Sequence, residues 1–215
     1  MKVIKPSFEI IYMDEADSIQ KRIETAGRLC YKSESNITEN SSTPFIQKII
    51  KSGHHSVIEH ASVSVKFICD RGVSHEIVRH RMASYSQEST RYANYSNDRF
   101  GNEITVIKPY FWDEGTDQYS EWFNAMLTAE KSYMSLIRSG ATAQQARSVL
   151  PNSLKTEIIV TCNLREWRHI LDLRCAKAAH PQIREIMLPL LIEIHRRLPA
   201  VFSDIFEKYK NDFIQ

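Results

Sequence analysis

The sequence is short of glycine, of closely spaced cysteine and of long apolar runs, and each shortage removes a class of function. Its six glycines stand at positions 27, 53, 72, 101, 115 and 140. That spacing forbids both G-x-G-x-x-G and G-x-x-x-x-G-K, so any nucleotide is bound without a dinucleotide fingerprint or a P-loop. The four cysteines, Cys30, Cys69, Cys162 and Cys175, contain no C-x-x-C. This argues against a zinc knuckle or redox pair and fits a reducing compartment. No apolar run approaches the roughly 20 residues of a membrane helix. Residues 1–15 are too short and too broken, by Pro6 and Glu9, to act as a secretory leader. The expectation is a soluble, cytoplasmic protein with no membrane partner. Lysine is missing locally. Between Lys66 and Lys108 every cation is arginine (Arg71, Arg79, Arg81, Arg91, Arg99), and between Lys155 and Lys177 stand only Arg165, Arg168 and Arg174.

What is present is ordinary in bulk and concentrated in one stretch. A chain of 215 residues, 42% hydrophobic and 25% charged, suits one large domain. Its net charge of +2 is not the basic footprint of a non-specific nucleic-acid binder. Residues 79–92, RHRMASYSQESTRY, gather Arg79, Arg81 and Arg91, His80 and the hydroxyls of Ser84, Tyr85, Ser86, Ser89 and Thr90 against one acid, Glu88. Arginine's rigid fork of donors, with short adjustable hydroxyls beside it, suits a phosphate or carboxylate. A merely solvated face would mix lysine with arginine, whereas bidentate anion recognition prefers arginine.

Periodicity places these residues. Residues 8–13 read as a strand, and Asp17 or Ser18 is expected to cap a helix with Ile19, Ile23, Ala26 and Cys30 on one stripe. Thr43-Pro44 opens a second helix, stopped by Gly53. Residues 52–60, SGHHSVIEH, crowd His54, His55, His60 and Glu59, but not in H-E-x-x-H order, and Ser56-x-x-Glu59 also matches a capping box. Residues 61–69 alternate as a half-buried strand with Val63, Val65, Phe67 and Cys69 on one side. Ser74 is then expected to cap a helix running into the arginine motif, with Glu76, Arg79 and His80 on a shared face, and 84–91 to leave it as a polar loop. A strand at 103–107 precedes a long helix over 116–139 whose aromatic stripe reads as core or subunit interface. Thr142 caps a short helix bearing Arg147, and 153–162 are β-rich in their middle. Asn163 is expected to cap a helix on which Arg165 and His169 share one face while Asn163 and Arg174 share another, almost opposite. His180-Pro181 starts a helix bent or broken at Pro189, and a last helix covers 200–209.

The ordered motifs carry a resemblance. Arg79-His80-Arg81, seven residues, Ser89, one residue and Arg91-Tyr92 resemble the signature of the flavin-dependent thymidylate synthases, the ThyX family. Gly53-His54-His55-Ser56 with Glu59-His60 is similar to that family's flavin-contacting turn. Ala146-Arg147 before Leu150-Pro151, then Asn163-x-Arg165, His169 and Leu173-Arg174, fall in the family's order, as does the closing block 179–184. Four positions depart from its frequent residues: Ser86-Gln87 stands for Asn-Glu, a variant also found in the family; Thr90 replaces a glycine and His169 an asparagine. Glutamine keeps an acceptor and adds donors, but no role that needs a carboxylate survives there.

The resemblance implies an α+β fold in a single domain over 1–215, with a central, mostly antiparallel sheet flanked by helices and no Rossmann unit. It implies methylation of dUMP to dTMP, with methylenetetrahydrofolate as one-carbon donor, FAD as redox carrier and NADPH as reductant. It also implies a homotetramer with active sites built between subunits, and neither a nucleic-acid partner nor a metal. By the same resemblance Arg174 is the catalytic candidate. His54, Ser56, Arg79, His80, Arg81, Gln87, Asn163, Arg165 and His169 are the flavin candidates. Glu76, Arg79, Gln87, Glu88, Ser89, Thr90, Arg91, Arg147 and Arg174 are those for dUMP. A guanidinium stays protonated at neutral pH, so Arg174 serves not as a general base but as a stabiliser of negative charge on the N3/carbonyl edge of uracil. No cysteine lies in the arginine motif to add at C6, and a nucleophilic Ser89 would need an activating base within hydrogen-bond reach, which a sequence does not display. Two rival classes remain: a single-stranded nucleic-acid binder stacking bases on Tyr85, Tyr92 or Tyr95, and a metal-dependent hydrolase centred on His54, His55 and His60.

Overall fold

The computed structural model describes residues 1–213. They contain strands β1 (Lys2–Ile4), β2 (Ser7–Met13), β3 (Ser62–Asp70), β4 (Ser84–Gln87), β5 (Thr105–Ile107) and β6 (Lys155–Asn163). The α-helices are α1 (Ala16–Tyr31), α2 (Ser42–Lys51), α3 (Arg71–Ile77), α4 (Asp117–Arg138), α5 (Ala143–Ala146), α6 (Leu164–Arg174), α7 (Pro181–Arg197) and α8 (Pro199–Tyr209). Strands β2, β3, β6 and β4 lie in that order in an antiparallel sheet, and β1 pairs in parallel with β5. The mixed helix-and-strand class with an antiparallel sheet is the expected one. No helix among the described residues is long and apolar enough to cross a membrane.

Packing divides the chain into two compact units. The first comprises Met1–Ser7, Phe67–Arg79 and Tyr85–Ile159; the second comprises Phe8–Lys66, His80–Ser84 and the chain from Val160 onward. In the first, the aromatic stripe of α4 does become core. Trp122, Met126 and Tyr133 are buried with Ala93, Tyr95, Ile104, Val106, Ala146 and Leu154, and Tyr119 and Phe123 pack against them. Thr116 caps α4 by accepting from the Tyr119 amide, and Gly140 ends it at φ +94°, in the left-handed region that glycine enters without steric cost. The Tyr133 hydroxyl reaches the Tyr95 amide at 3.3 Å and the Ala93 carbonyl at 3.5 Å, so the segment after the arginine motif is tied to the core.

In the second unit α1 packs on α2 and on the 3-10 turn His55–His60, while α6 packs on that turn and on α7 and α8. Ile19, Ile23, Ile46, Ile58, Trp167, Leu171, Ile183, Leu190 and Phe202 are fully enclosed. Burying each such side chain contributes roughly 1.5–3 kcal/mol relative to exposure. Trp167 also donates its indole N–H to the Val63 carbonyl at 3.0 Å, which orients α6 about its axis.

Several local expectations are corrected. Asp70, not Ser74, caps α3, accepting from the Val73 amide at 2.7 Å, so the helix starts and ends earlier. Arg79 and His80 therefore lie past its end, and Met82 is 75% exposed. Residues 84–87, expected as loop, form β4 at the end of the sheet order. Their alternating exposure is a period-2 signal that the hydroxyl-rich composition conceals. Glu15 rather than Asp17 or Ser18 precedes α1, and Cys30, expected on its buried stripe, is exposed. The Ser56–Glu59 capping box does not form, because the turn begins after His54 with no side-chain cap. Helix α7 runs unbroken through Pro189.

Candidate active site

Helix α6 organises the second unit's share of the candidate residues. Asn163 ends β6 and caps α6, its side-chain oxygen accepting from the Glu166 amide at 2.9 Å. Trp167, Arg168, Ile170 and Leu171 form the buried face of the helix. Arg165 and His169, one turn apart, project on the exposed face. Asn163, Arg165 and His169 line one cavity of about 700 Å³, together with His55, Glu59 and Met82. The expectation that Asn163 and Arg165 serve opposite faces is corrected: Asn163 sits at the cap, where the helix angle no longer applies.

Three ion pairs lie on the cavity wall. Arg165 meets Glu59 at 2.6 Å, Lys208 meets Asp172 at 2.6 Å, and Arg168 grips both oxygens of Asp204 at 2.7 and 2.6 Å. Arg168 is buried and also donates to the Val201 carbonyl, so it is a structural cation. Arg165 and Glu59 are about half exposed, and such a pair contributes only about 0–1 kcal/mol, so Arg165 can turn to another anion at little cost. Of the other flavin candidates here, His54 accepts from or donates to the Tyr31 hydroxyl through Nδ1 at 2.8 Å and stacks on the Tyr31 ring. Ser56 and Arg81 are exposed.

His80 and Arg174 meet directly. Arg174 Nε–H donates to His80 Nε2 at 2.9 Å. An arginine nitrogen only donates, so Nε2 is the accepting nitrogen and the proton of the neutral ring sits on Nδ1. That Nδ1 lies 3.8 Å from Glu166 Oε1, and the His80 ring stands edge-on to His169 with centroids 5.6 Å apart. Burial, then the charge of Arg174 and the neighbouring His169, push the His80 pKa down to about 4, so the ring is neutral across the physiological range. His80, Glu166 and His169 bring potential ligand atoms within 4.8 Å of one another, a metal-like donor set that was not foreseen. Glu166-x-x-His169 was the readable signal, since residues three apart share a helix face. The guanidinium against His80 opposes a second cation there, and the set is better described as a polar relay ending on Arg174.

The first unit holds most of the dUMP candidates. Gln87 donates its amide to Ser74 Oγ at 2.9 Å and Thr156 Oγ1 at 3.2 Å, both buried. Glu88 is engaged inward. Its carboxylate takes Lys155 Nζ at 2.9 Å and the Tyr95 hydroxyl at 3.4 Å, which makes it a buttress of the segment. Lys155, bridging Glu88 and Glu157, was missed by the sequence reading. Ser89 Oγ accepts from the Arg91 amide at 3.3 Å, and the Ser89 carbonyl takes the Tyr92 and Ala93 amides, so a tight turn presents the Arg91 side chain. Arg91 donates to Gln144 at 3.0 Å, and Arg147 follows α5, which Thr142 and Gln145 fix with a reciprocal capping box. Arg79, Arg91 and Arg147 are exposed, Glu76 is half-buried and Thr90 is buried. Cys69, Cys162 and Cys175 are buried, and desolvation pushes the thiols of Cys69 and Cys175 up to about 12. None of these three is a thiolate nucleophile at neutral pH.

The fold is of mixed helix-and-strand class, the first unit carrying the exposed arginines Arg79, Arg91 and Arg147 and the second a cavity lined by His, Asn and Arg donors. Comparisons with known proteins give its class. Residues 12–200 match the family described as thymidylate synthase complementing protein. The flavin-dependent thymidylate synthase of Geobacter sulfurreducens is 34% identical over 204 residues, 91% of this chain and 86% of that protein. That of Mycobacterium tuberculosis is 33% identical over 208 residues, 91% of this chain and 83% of that protein. A crystal structure of the UMP/dUMP methylase PolB from Streptomyces cacaoi, bound with 5-Br dUMP, shares the fold with a TM-score of 0.78. It is 22% identical, and the alignment covers 97% of this chain and 98% of that one. The chain belongs to the flavin-dependent thymidylate synthase family.

Proposed function

We propose that this chain methylates C5 of dUMP to give dTMP in de novo dTMP synthesis, with FAD as redox carrier. Overall, dUMP, methylenetetrahydrofolate, NADPH and a proton give dTMP, tetrahydrofolate and NADP⁺: one carbon moves and NADPH supplies the two electrons that reduce it to methyl. The whole chain acts as one synthase domain, in a cytoplasmic homotetramer with active sites between subunits. The observation that carries this reading is the Arg174 guanidinium held against the neutral His80 ring, beside a His169 that lines the 700 Å³ cavity. The cavity falls in the roughly 300–1,000 Å³ range of cofactor sites. Its residues fit a flavin: Asn163 and His169 offer polar contacts, and Arg165 is the cation free to exchange partners for an anionic group.

Bound there, FAD would supply electron transfer to the methyl precursor. The protein's own part is binding and polarisation. Ser89, Thr90, Arg91 and Arg147, with Arg79, Gln87 and Glu76, hold the nucleotide's phosphate and sugar. Glu88 acts behind them through Lys155. Arg174 faces the N3/carbonyl edge and stabilises the negative charge that builds there as C5 becomes nucleophilic. Loss of one such preorganised donor costs on the order of 3 kcal/mol. Arg174→Ala is therefore expected to keep flavin and lose about 10²–10³-fold in turnover.

The test is the visible absorption spectrum of the purified protein, before and after adding FAD and then dUMP. A flavin spectrum perturbed by dUMP supports the reading. A colourless protein that leaves added FAD unperturbed overturns it and brings forward the single-stranded nucleic-acid binder.

A further inference from the structure

We infer that His80 is a positioning residue for Arg174: its Nε2 lone pair accepts from the inner guanidinium nitrogen and fixes the plane of the fork that meets the pyrimidine. This rests on the thymidylate synthase reading for the role of Arg174, but the contact itself stands on geometry.

An arginine side chain has many rotamers to lose, and a misplacement of about 1 Å at a reacting group can cost about a hundredfold in rate. Arg174 is the last residue of α6, with Cys175 as its cap, so its long side chain starts from the very end of the helix. It therefore needs an anchor from another segment. His80 supplies one from the turn closed by the Ala83 amide on the His80 carbonyl at 3.3 Å. The anchor is itself fixed: the imidazole is 4% exposed, lies edge-on to His169, and turns Nδ1 toward Glu166, whose amide is held by the Asn163 cap. The contact is made at Nε, the nitrogen that sets the plane of the guanidinium. His80 thus acts on catalysis through Arg174, in addition to any contact with flavin.

Two variants separate the ring's nitrogens. Glutamine carries its amide oxygen at about the reach of Nε2, whereas asparagine places it near the position of Nδ1. The experiment follows the Arg174 Nε–H by NMR in full-length protein labelled with ¹⁵N in arginine, the signal being assigned by its loss in Arg174→Lys. Hydrogen exchange at that site is expected to be at least about tenfold slower than at exposed arginines in the parent, fast in His80→Ala and His80→Asn, and slow again in His80→Gln.

Kinetics at saturating FAD give the second reading. His80→Ala should lower kcat about a hundredfold with KM for dUMP within about fivefold, and His80→Gln should recover at least about tenfold. In an Arg174→Lys background His80→Ala should cost nothing further. Equal exchange in all four proteins, or an alanine variant with kcat near the parent's, overturns the inference. If the parent makes no dTMP, the synthase reading fails, while the exchange rates still decide whether His80 holds Arg174. Should His80→Ala not fold, His80→Asn against His80→Gln carries the comparison.

Discussion

The side chain of Gln87 is anchored from behind by Ser74, whose Oγ accepts the Gln87 amide at 2.9 Å while donating to the Arg71 carbonyl at 3.0 Å. The serine hydrogen is thus committed, so the group that meets it from position 87 must be a donor. This explains why an amide suits position 87 in this chain.

Gln87→Glu is accordingly expected to destabilise the fold. The Thr156 hydroxyl can rotate to donate to a carboxylate, but Ser74 cannot without giving up Arg71. Urea denaturation should show a loss of about 1–3 kcal/mol, the cost of an unsatisfied buried polar group. Unchanged stability at neutral pH would mean that Ser74 redirects its proton freely.

Ser89→Ala removes the acceptor of the Arg91 amide and loosens the turn that presents Arg91. The affinity for dUMP should fall by about tenfold, roughly one hydrogen bond's worth, with turnover still measurable at saturating substrate. Titration of the flavin spectrum with dUMP, next to steady-state kinetics, checks both. Complete loss of turnover with intact affinity would instead make Ser89 a nucleophile.

Arg168 is buried and Asp204 is half exposed, and together they form a two-pronged ion pair. Asp204→Ala leaves the guanidinium without its carboxylate. The penalty should be about 2–3 kcal/mol, below the range for fully enclosed pairs because water reaches position 204. The Asp204 carboxyl is held below its usual value: burial raises it, but the hydrogen bonds and charge of Arg168 outweigh that. Its contribution is present above the unfolded value of 3.8 and is lost as pH falls through the lower folded value. Acid unfolding of the alanine variant should therefore lack this component.

His80 titrates with the opposite chemistry. Its folded pKa of about 4 lies below the 6.5 of an unperturbed imidazole, so between these values the unfolded chain binds more protons. Stability should fall as pH drops from 6.5 to about 4 and gain no further loss from this group below that. Glu166 favours the charged ring, while Arg174 and His169 oppose it, with burial the largest cause. Denaturation midpoints against pH should show this slope in the parent and lose it in His80→Gln. A parallel pair of curves would mean that the ring takes up its proton in the folded state.

Much of the fold was legible because the governing signals are local. The α4 stripe, the Gly140 stop, the Thr142 cap and the Asn163 cap all depend on residues within a few positions of each other, and all form as read. The misreadings arise where partners are distant in sequence. Asp70 outcompeted Ser74 as a cap because Ser74 turns its hydroxyl to Arg71 and accepts from Gln87. Glu59 looked like half a capping box, yet its carboxylate is drawn to Arg165, 106 positions away. The candidate residues were found through their motif, but their partners Lys155 and Glu166 were not. Lys155 takes its role from Glu88 and Glu166 from its approach to His80, partners far away in sequence, although the Glu166-x-x-His169 spacing itself was legible.

The two packed units are threaded, since the chain passes through Met1–Ser7, Phe8–Lys66, Phe67–Arg79, His80–Ser84 and Tyr85–Ile159 before returning at Val160. Neither unit is a contiguous stretch, so no single cut or truncation releases one of them whole. Evolution, equally, cannot exchange either as a cassette in one recombination event. The arginine motif itself is partitioned by this threading, Arg79 falling in one unit and His80 in the other. A heritable change in either body is therefore inherited together with the other, and a chimaera made by splicing two relatives would have to match at every crossing.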